Sequence, residues 1–208
     1  MHWIGLWSVW LWTPMAGAID RDSQPQSAPS PPSTAQKTID KCDVPLWTND
    51  PDPSGLNVRQ TPERHAPIVG ALPPEAMFTA VEARHGRFRI KSPMVWNWPE
   101  AERIPLKKGP QKGWVYGGLV SIDTTCRRDK SGRAVMTVYT APDESSPAVV
   151  TWVAGQDYAC DWHIDKALDC SGKWLKAVLK KKPGAKAVSG WLHPETLCDN
   201  PLTTCGGY

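Results

Sequence analysis

Apolar and polar residues alternate in short runs along most of this chain, and proline or glycine ends nearly every run. Leu56-Asn57-Val58-Arg59 alternates, and Thr61-Pro62 breaks it. Such a period of two predicts half-buried strands. Ile68–Leu72 resumes a strand, Met77–Ala83 gives another, and Gly86–Lys91 alternates with Phe88 and Ile90 facing inward. Gly113–Tyr116 is a short strand, and Leu119-Val120 follows a turn at Gly117-Gly118. The same rhythm returns at Met136–Tyr139, Val149–Val153, Gln156–Cys160 and Gly172–Val178. With 21 Pro and 16 Gly in 208 residues, punctuation is too dense for long helices. An all-β fold is predicted.

The rhythm is a repeat. Val58-x3-Pro62 runs on to Pro67, and Val138-x3-Pro142 runs on to Pro147 with the same spacing. Each copy ends on a related phrase, Gly113-Trp114-Val115 and Gly190-Trp191-Leu192. Between them, Gly172 and Trp174 align with Gly86 and Phe88. Two copies of about 70 residues predict two small domains rather than a solenoid. Their expected limits are 43–125 and 131–197, with 198–208 as a tail. Residues 127–133 read either as a flexible hinge or as a packed turn.

The N-terminal segment has a different texture. Ile4–Trp12 is a short apolar run, and Ala16-Gly17-Ala18 has the small-x-small form of a cleavage site. Residues 1–18 therefore read as a secretory signal cleaved near Ala18, although only His2 precedes the run in place of Lys or Arg. The run is too short for a stable membrane helix. Residues 19–41 are rich in Pro, Ser, Gln and Ala and read as a disordered linker.

Six cysteines fit an exported, oxidised chain of periplasmic or secreted location. Six allow 15 pairings. Position along the chain suggests Cys42–Cys126 around the first repeat, Cys160–Cys170 within the second, and Cys198–Cys205 in the tail. Zinc is the alternative for Cys160, His163 and Cys170 with Asp161, but oxidising conditions favour the disulfide. No metal or other cofactor is expected.

The ordered phrases resemble the bacterial SH3 (SH3b) family. Leu56-Asn57-Val58-Arg59 with Pro62, the Pro-Ile-Val strand, the Gly-aromatic strand and Gly113-Trp114-Val115 carry the resemblance in the first copy. The second copy is more divergent, with Met136-Thr137-Val138-Tyr139 in place of the first phrase. The resemblance implies two tandem small SH3-like β-barrels. It also implies a non-enzymatic role, because many members of this family bind peptidoglycan peptides or serve as accessory domains of wall hydrolases, with any catalysis in a separate domain. The chain has no serine elbow, His-Glu-x-x-His or phosphate-binding glycine loop. A secreted wall hydrolase is thus a remote alternative.

Charge changes this picture little. The net charge is +3, and Lys180-Lys181-Lys182 is the one basic run, read as a solvated loop. Nucleic acid is not an expected partner, and stable membrane insertion is not expected. Aromatic residues carry more. Eight of the 12 tryptophans lie beyond the signal, and Trp114, Trp174 and Trp191 fall where the family packs its barrel. Trp96 and Trp98 lie in an insertion, Ser92–Lys112, and Trp162 lies in the loop between Cys160 and Cys170. These three, with Tyr116 and Tyr139 as groove walls, are the candidate ligand-binding residues. The expected partner is peptidoglycan, or alternatively an envelope protein.

Overall fold

The computed structural model describes residues 42–97, 100, 102–154, 162–180 and 186–198. The signal segment, the linker, Trp98, Cys160 and Cys205 lie outside the described residues, as does the strand expected at Gln156–Cys160. Among the described residues the protein is all-β, with two short 3-10 turns. No helix there is long and apolar enough to cross a membrane.

The strands follow the chain as β1 (Val44–Thr48), β2 (Leu56–Arg59), β3 (Ile68–Leu72), β4 (Met77–Arg84), β5 (Arg87–Asn97), β6 (Glu102–Pro105), β7 (Gly113–Tyr116) and β8 (Val120–Ser121). Two short strands come next, β9 (Asp123–Thr124) and β10 (Arg127–Arg128). The remainder are β11 (Ala134–Tyr139), β12 (Ala148–Val153), β13 (His163–Ser171), β14 (Trp174–Lys180), β15 (Val188–Leu192) and β16 (Leu197–Cys198). The insertion 92–112 prolongs β5 and folds back as a hairpin, with Trp96 opposite Arg103.

The two repeats share one topology. Strand order β3-β2-β7-β5-β4 in the first sheet is replayed as β12-β11-β15-β14-β13 in the second. Even the irregularities agree. The register of β2 on β3 shifts between Val58 and Arg59, and that of β11 on β12 shifts between Val138 and Tyr139. Each Pro-bounded loop closes alike, with Gln60 N donating to Pro67 O at 2.9 Å and Thr140 N to Pro147 O at 3.0 Å.

Strand pairing corrects one expected alignment. Phe88 faces Val115 as Leu175 faces Leu192, so Leu175, not Trp174, stands in the place of Phe88. Trp174 begins β14 as Arg87 begins β5. The recurrent Gly-Trp phrase now has a reason. A Cβ on Gly113 would lie 2.5 Å from Val58 Cγ1 and 2.8 Å from Arg59 O. On Gly190 it would lie 2.5 Å from Val138 Cγ1 and 2.6 Å from Tyr139 O. At both points strand crosses strand too closely for any side chain.

The repeats are joined, not strung. The described residues belong to one compact unit. One apolar cluster runs from Phe78, Phe88 and Val115 of the first repeat to Ala167, Leu175 and Leu192 of the second. Strand β13 makes this junction, packing on β4, β8 and the 3-10 turn Gly117–Leu119. Residues 127–133 form a tight hairpin turn, with Arg127 opposite Val135. There the Asp129 carboxylate accepts from the Ser131 hydroxyl and the Arg133 guanidinium.

Disulfide pairing departs from the sequence expectation. Cys42 bonds to Cys170, with Cα atoms 5.5 Å apart. This overturns both Cys42–Cys126 and Cys160–Cys170. The lead-in to β1 runs beside the β13–β14 turn, where Asp43 N donates to Gly172 O at 2.7 Å. Folding has therefore set Cys42 against the second repeat, which nearness in sequence does not reveal. Cys126 and Cys198 are disulfide-bonded as well. Cys170, committed to the bridge, is not available as a zinc ligand. Cys205, the expected partner of Cys198, is not among the described residues.

Candidate functional site

The Pro-bounded loop after β2, the β4–β5 turn and the end of β7 enclose a cleft of about 940 Å³ in the first repeat. Leu56, Arg59, Arg64, Arg87 and Tyr116 line it, with Asp50, Glu63, His65 and His85 around them. Arg59 Nη1 donates to Ala66 O at 2.6 Å, which holds the loop against the strand. Arg87 lies opposite Tyr116 in the β5–β7 register, its guanidinium carbon 5.5 Å from the ring centroid. On the same ring, Lys166 Nζ of the second repeat stands 5.3 Å from the centroid. Tyr116 is thus an exposed aromatic wall with two cations over its ring.

Three guanidinium groups gather here. Burial, then the charges of Arg59 and Arg64, push the Arg87 guanidinium below its ordinary value, while Tyr116 opposes the shift. None of Arg59, Arg64 or Arg87 has a carboxylate within 4.0 Å among the described residues. Glu63 lies beside them but is engaged locally. Its carboxyl is held below the usual range by a hydrogen bond from Thr61, with smaller contributions from its own backbone, His85 and Arg84.

The corresponding place in the second repeat is filled by the chain itself. By register and spacing, Tyr139 replaces Arg59, Glu144 replaces Arg64, Trp174 replaces Arg87 and His193 replaces Tyr116. Glu144 Oε2 accepts from Arg127 Nη2 at 3.1 Å, and its Oε1 lies 2.7 Å from His193 Nε2. Arg127 also donates to the Tyr139 hydroxyl at 2.9 Å. Trp174 stands edge-on to Tyr139 and to His193, with centroids 5.5 and 5.0 Å apart. The result is a polar network on an aromatic platform, in which Arg127 Nε is buried without a hydrogen-bond partner among the described residues.

That network makes a pH prediction. His193 Nδ1 accepts from Glu195 N at 3.1 Å, so this nitrogen carries no proton and Nε2–H faces Glu144. Burial, then the Arg127 charge, lowers the His193 pKa and outweighs the pull of Glu144 and Glu195. Between that lowered value and the ordinary one of about 6.5, the unfolded chain binds the extra proton, so stability falls as pH drops through this window. Glu144, lowered chiefly by its Arg127 bond, adds a further loss at lower pH. Melting temperature measured from about pH 7.5 down to 5 should decline, and His193→Gln should remove the part near pH 6.

The candidate residues separate accordingly. Tyr116 is in the open cleft. Tyr139 is buried at 7% exposure inside the filled one, so it is not an accessible groove wall. Trp162 is buried at 5%, its ring 3.9 Å from that of Trp152 and its backbone bonded to the Thr124 hydroxyl, which corrects its reading as an exposed loop anchor. Trp96 is half-buried on the β5–β6 hairpin, away from the cleft lining, and Trp98 lies outside the described residues. Trp114 is buried, while Trp174 and Trp191 are half-buried. The sequence reading missed Arg59, Arg64 and Arg87. Arg59 lay in plain view in the Leu-Asn-Val-Arg phrase, and Arg87 was hidden by the one-residue misalignment with Trp174. No protein-family model matches the chain, and the curated proteins provide no match to it.

Proposed function

We propose that this is an exported, non-enzymatic protein of two SH3b-type barrels, and that the first barrel binds an extended cell-envelope peptide, most simply one of peptidoglycan. One observation carries the reading. Two repeats that share a five-strand order part ways at this cleft: the first keeps it open, lined by cations and an aromatic ring, and the second occupies the corresponding place with its own side chains. Duplicated folds that diverge at one surface indicate divided work. An aromatic wall with charged neighbours suits a peptide, which offers stacking surface and fixed polar groups. The signal-like leader and the disulfides support an envelope location.

Retention of the oxidised protein on purified sacculi tests this. Wild type should be retained, and Tyr116→Ala or Arg87→Ala should weaken retention by about tenfold, the usual cost of losing an interface anchor. Glu144→Gln, in the other repeat, should leave it unchanged. Absence of retention, or equal retention by all variants, defeats the reading.

One feature favours a protein partner instead. Ile68 and Val69 on β3 and Val149 on β12 are large apolar residues about half exposed, on strands at the ends of their sheets. Such edges accept an added strand. Cross-linking in intact cells separates the two readings: a single envelope protein joined at Val69 supports the partner, and joining to wall material supports the peptide.

A further inference from the structure

We propose that the cleft of the first repeat is a carboxylate-binding site, taking from an extended peptide the group that Glu144 supplies from within the second repeat. This rests on the peptide-binding reading above and names the chemistry that would anchor the ligand.

The second repeat shows what the architecture accommodates. The Glu144 carboxylate sits where the Pro-bounded loop meets the last strand, one oxygen on a guanidinium and the other on an imidazole nitrogen. In the first repeat the residue at that loop position is Arg64, so the internal carboxylate is gone and a cation stands in its place. Arg59 and Arg87 replace two uncharged aromatics, Tyr139 and Trp174. The change is therefore directional. A site closed by its own acid has become an open site with three guanidinium groups and no acid of its own in contact.

Converging guanidinium groups repel one another, and partial burial of Arg87 sharpens this. A bound carboxylate relieves the repulsion and matches the guanidinium fork with two parallel hydrogen bonds. Tyr116 supplies an aromatic face beside it, bearing Arg87 and Lys166. Asp50 and Glu63 also line the cleft. Their charges leave room for one negative charge more readily than for a doubly charged phosphate, and this selects the carboxylate.

The test is a titration of the isotope-labelled, oxidised full chain, followed by NMR. Three short probes are used: acetyl-trialanine with a free carboxylate, its C-terminal amide, and an amidated acetyl-Ala-Glu-Ala. The first or third should shift the Tyr116 amide and the Arg59 and Arg87 side-chain signals saturably. Which of them does so tells a chain terminus from an acidic side chain. The neutral amide should bind at least about tenfold more weakly. Arg64→Glu, which transplants the second repeat's filler, should abolish the response while signals of the second repeat stay in place. The proposal is overturned if all three probes act alike, if none shifts those signals, or if Arg64→Glu binds as wild type does. Stronger competition by inorganic phosphate at matched ionic strength would likewise overturn it in favour of a phosphoryl ligand. Wall retention unaffected by Arg64→Glu would remove the carboxylate and leave the peptide-binding reading standing. Carboxylate-dependent shifts without wall retention would do the reverse.

Discussion

Replacing Cys42 and Cys170 together by serine should lower stability by about 2–5 kcal/mol, or a melting temperature lower by roughly 4–20 °C for a chain of this size. The bridge spans 128 residues of sequence. In the chain-entropy picture a loop that long restricts the unfolded ensemble by nearly 5 kcal/mol, the upper part of that range. Its position adds a structural consequence. It ties the segment before β1, which borders β4, to β13, the strand that joins the repeats and carries Lys166 over Tyr116. The double variant should therefore loosen the junction and broaden the Tyr116 signal, not merely melt earlier. Paired thermal melts of oxidised wild type and variant decide the first point, and NMR the second. A shift under about 2 °C would show that the apolar junction holds itself together without the covalent tie.

How much of this was legible depends on how each strand announces itself. Leu56–Arg59 keeps a period of two, and it, Ile68–Leu72 and Gly113–Tyr116 are short apolar-rich runs fenced by Pro or Gly, so sequence alone places them within a residue. Strand β13 has no such signature. Two register shifts against β14, between Ile164 and Lys166 and between Ala167 and Asp169, add extra residues to its length. Its buried positions become Ile164, Ala167 and Cys170, three apart, with charged residues between. That spacing is neither a strand's nor a helix's, and the segment reads as a loop. Because β13 makes the junction, overlooking it also hides the union of the repeats and the true partner of Cys42.

The site was half legible for a related reason. Tyr116 was reached, together with Tyr139, through the groove that the resemblance to SH3-like barrels implies. Charge convergence does not show in a linear chain. Arg59, Arg64 and Arg87 come from a strand, a loop and the far side of a turn, and only the sheet order brings them to one cleft. The internal comparison that gives them meaning needs the correct register, since aligning Trp174 with Phe88 makes both look like core. Once Trp174 stands against Arg87, the repeats read as an open and a filled version of one pocket.

Gly117→Ala should cost about 3 kcal/mol and disturb the first cleft enough to weaken ligand binding. The added Cβ would lie 2.2 Å from Ala167 O, 2.8 Å from the Phe88 ring and 3.0 Å from Gly86 O. Two of these are backbone atoms, which cannot swing aside, and Ala167 belongs to β13 of the other repeat. Relief requires either that β13 back away or that the turn after β7 shift. The turn begins at the residue after Tyr116, and Gly117 N donates to Gly86 O at 2.9 Å, next to Arg87. Either movement changes the distances that Tyr116, Arg87 and Lys166 now keep. Gly132→Ala is the control. Its Cβ meets nothing within 4 Å, although its φ of +81° still penalises a side chain. It should cost only the 1–2 kcal/mol of left-handed strain, roughly, and leave ligand binding intact. If Gly117→Ala instead melts no lower than Gly132→Ala, the repeats do not meet at this turn and Lys166 does not help to set the position of Tyr116.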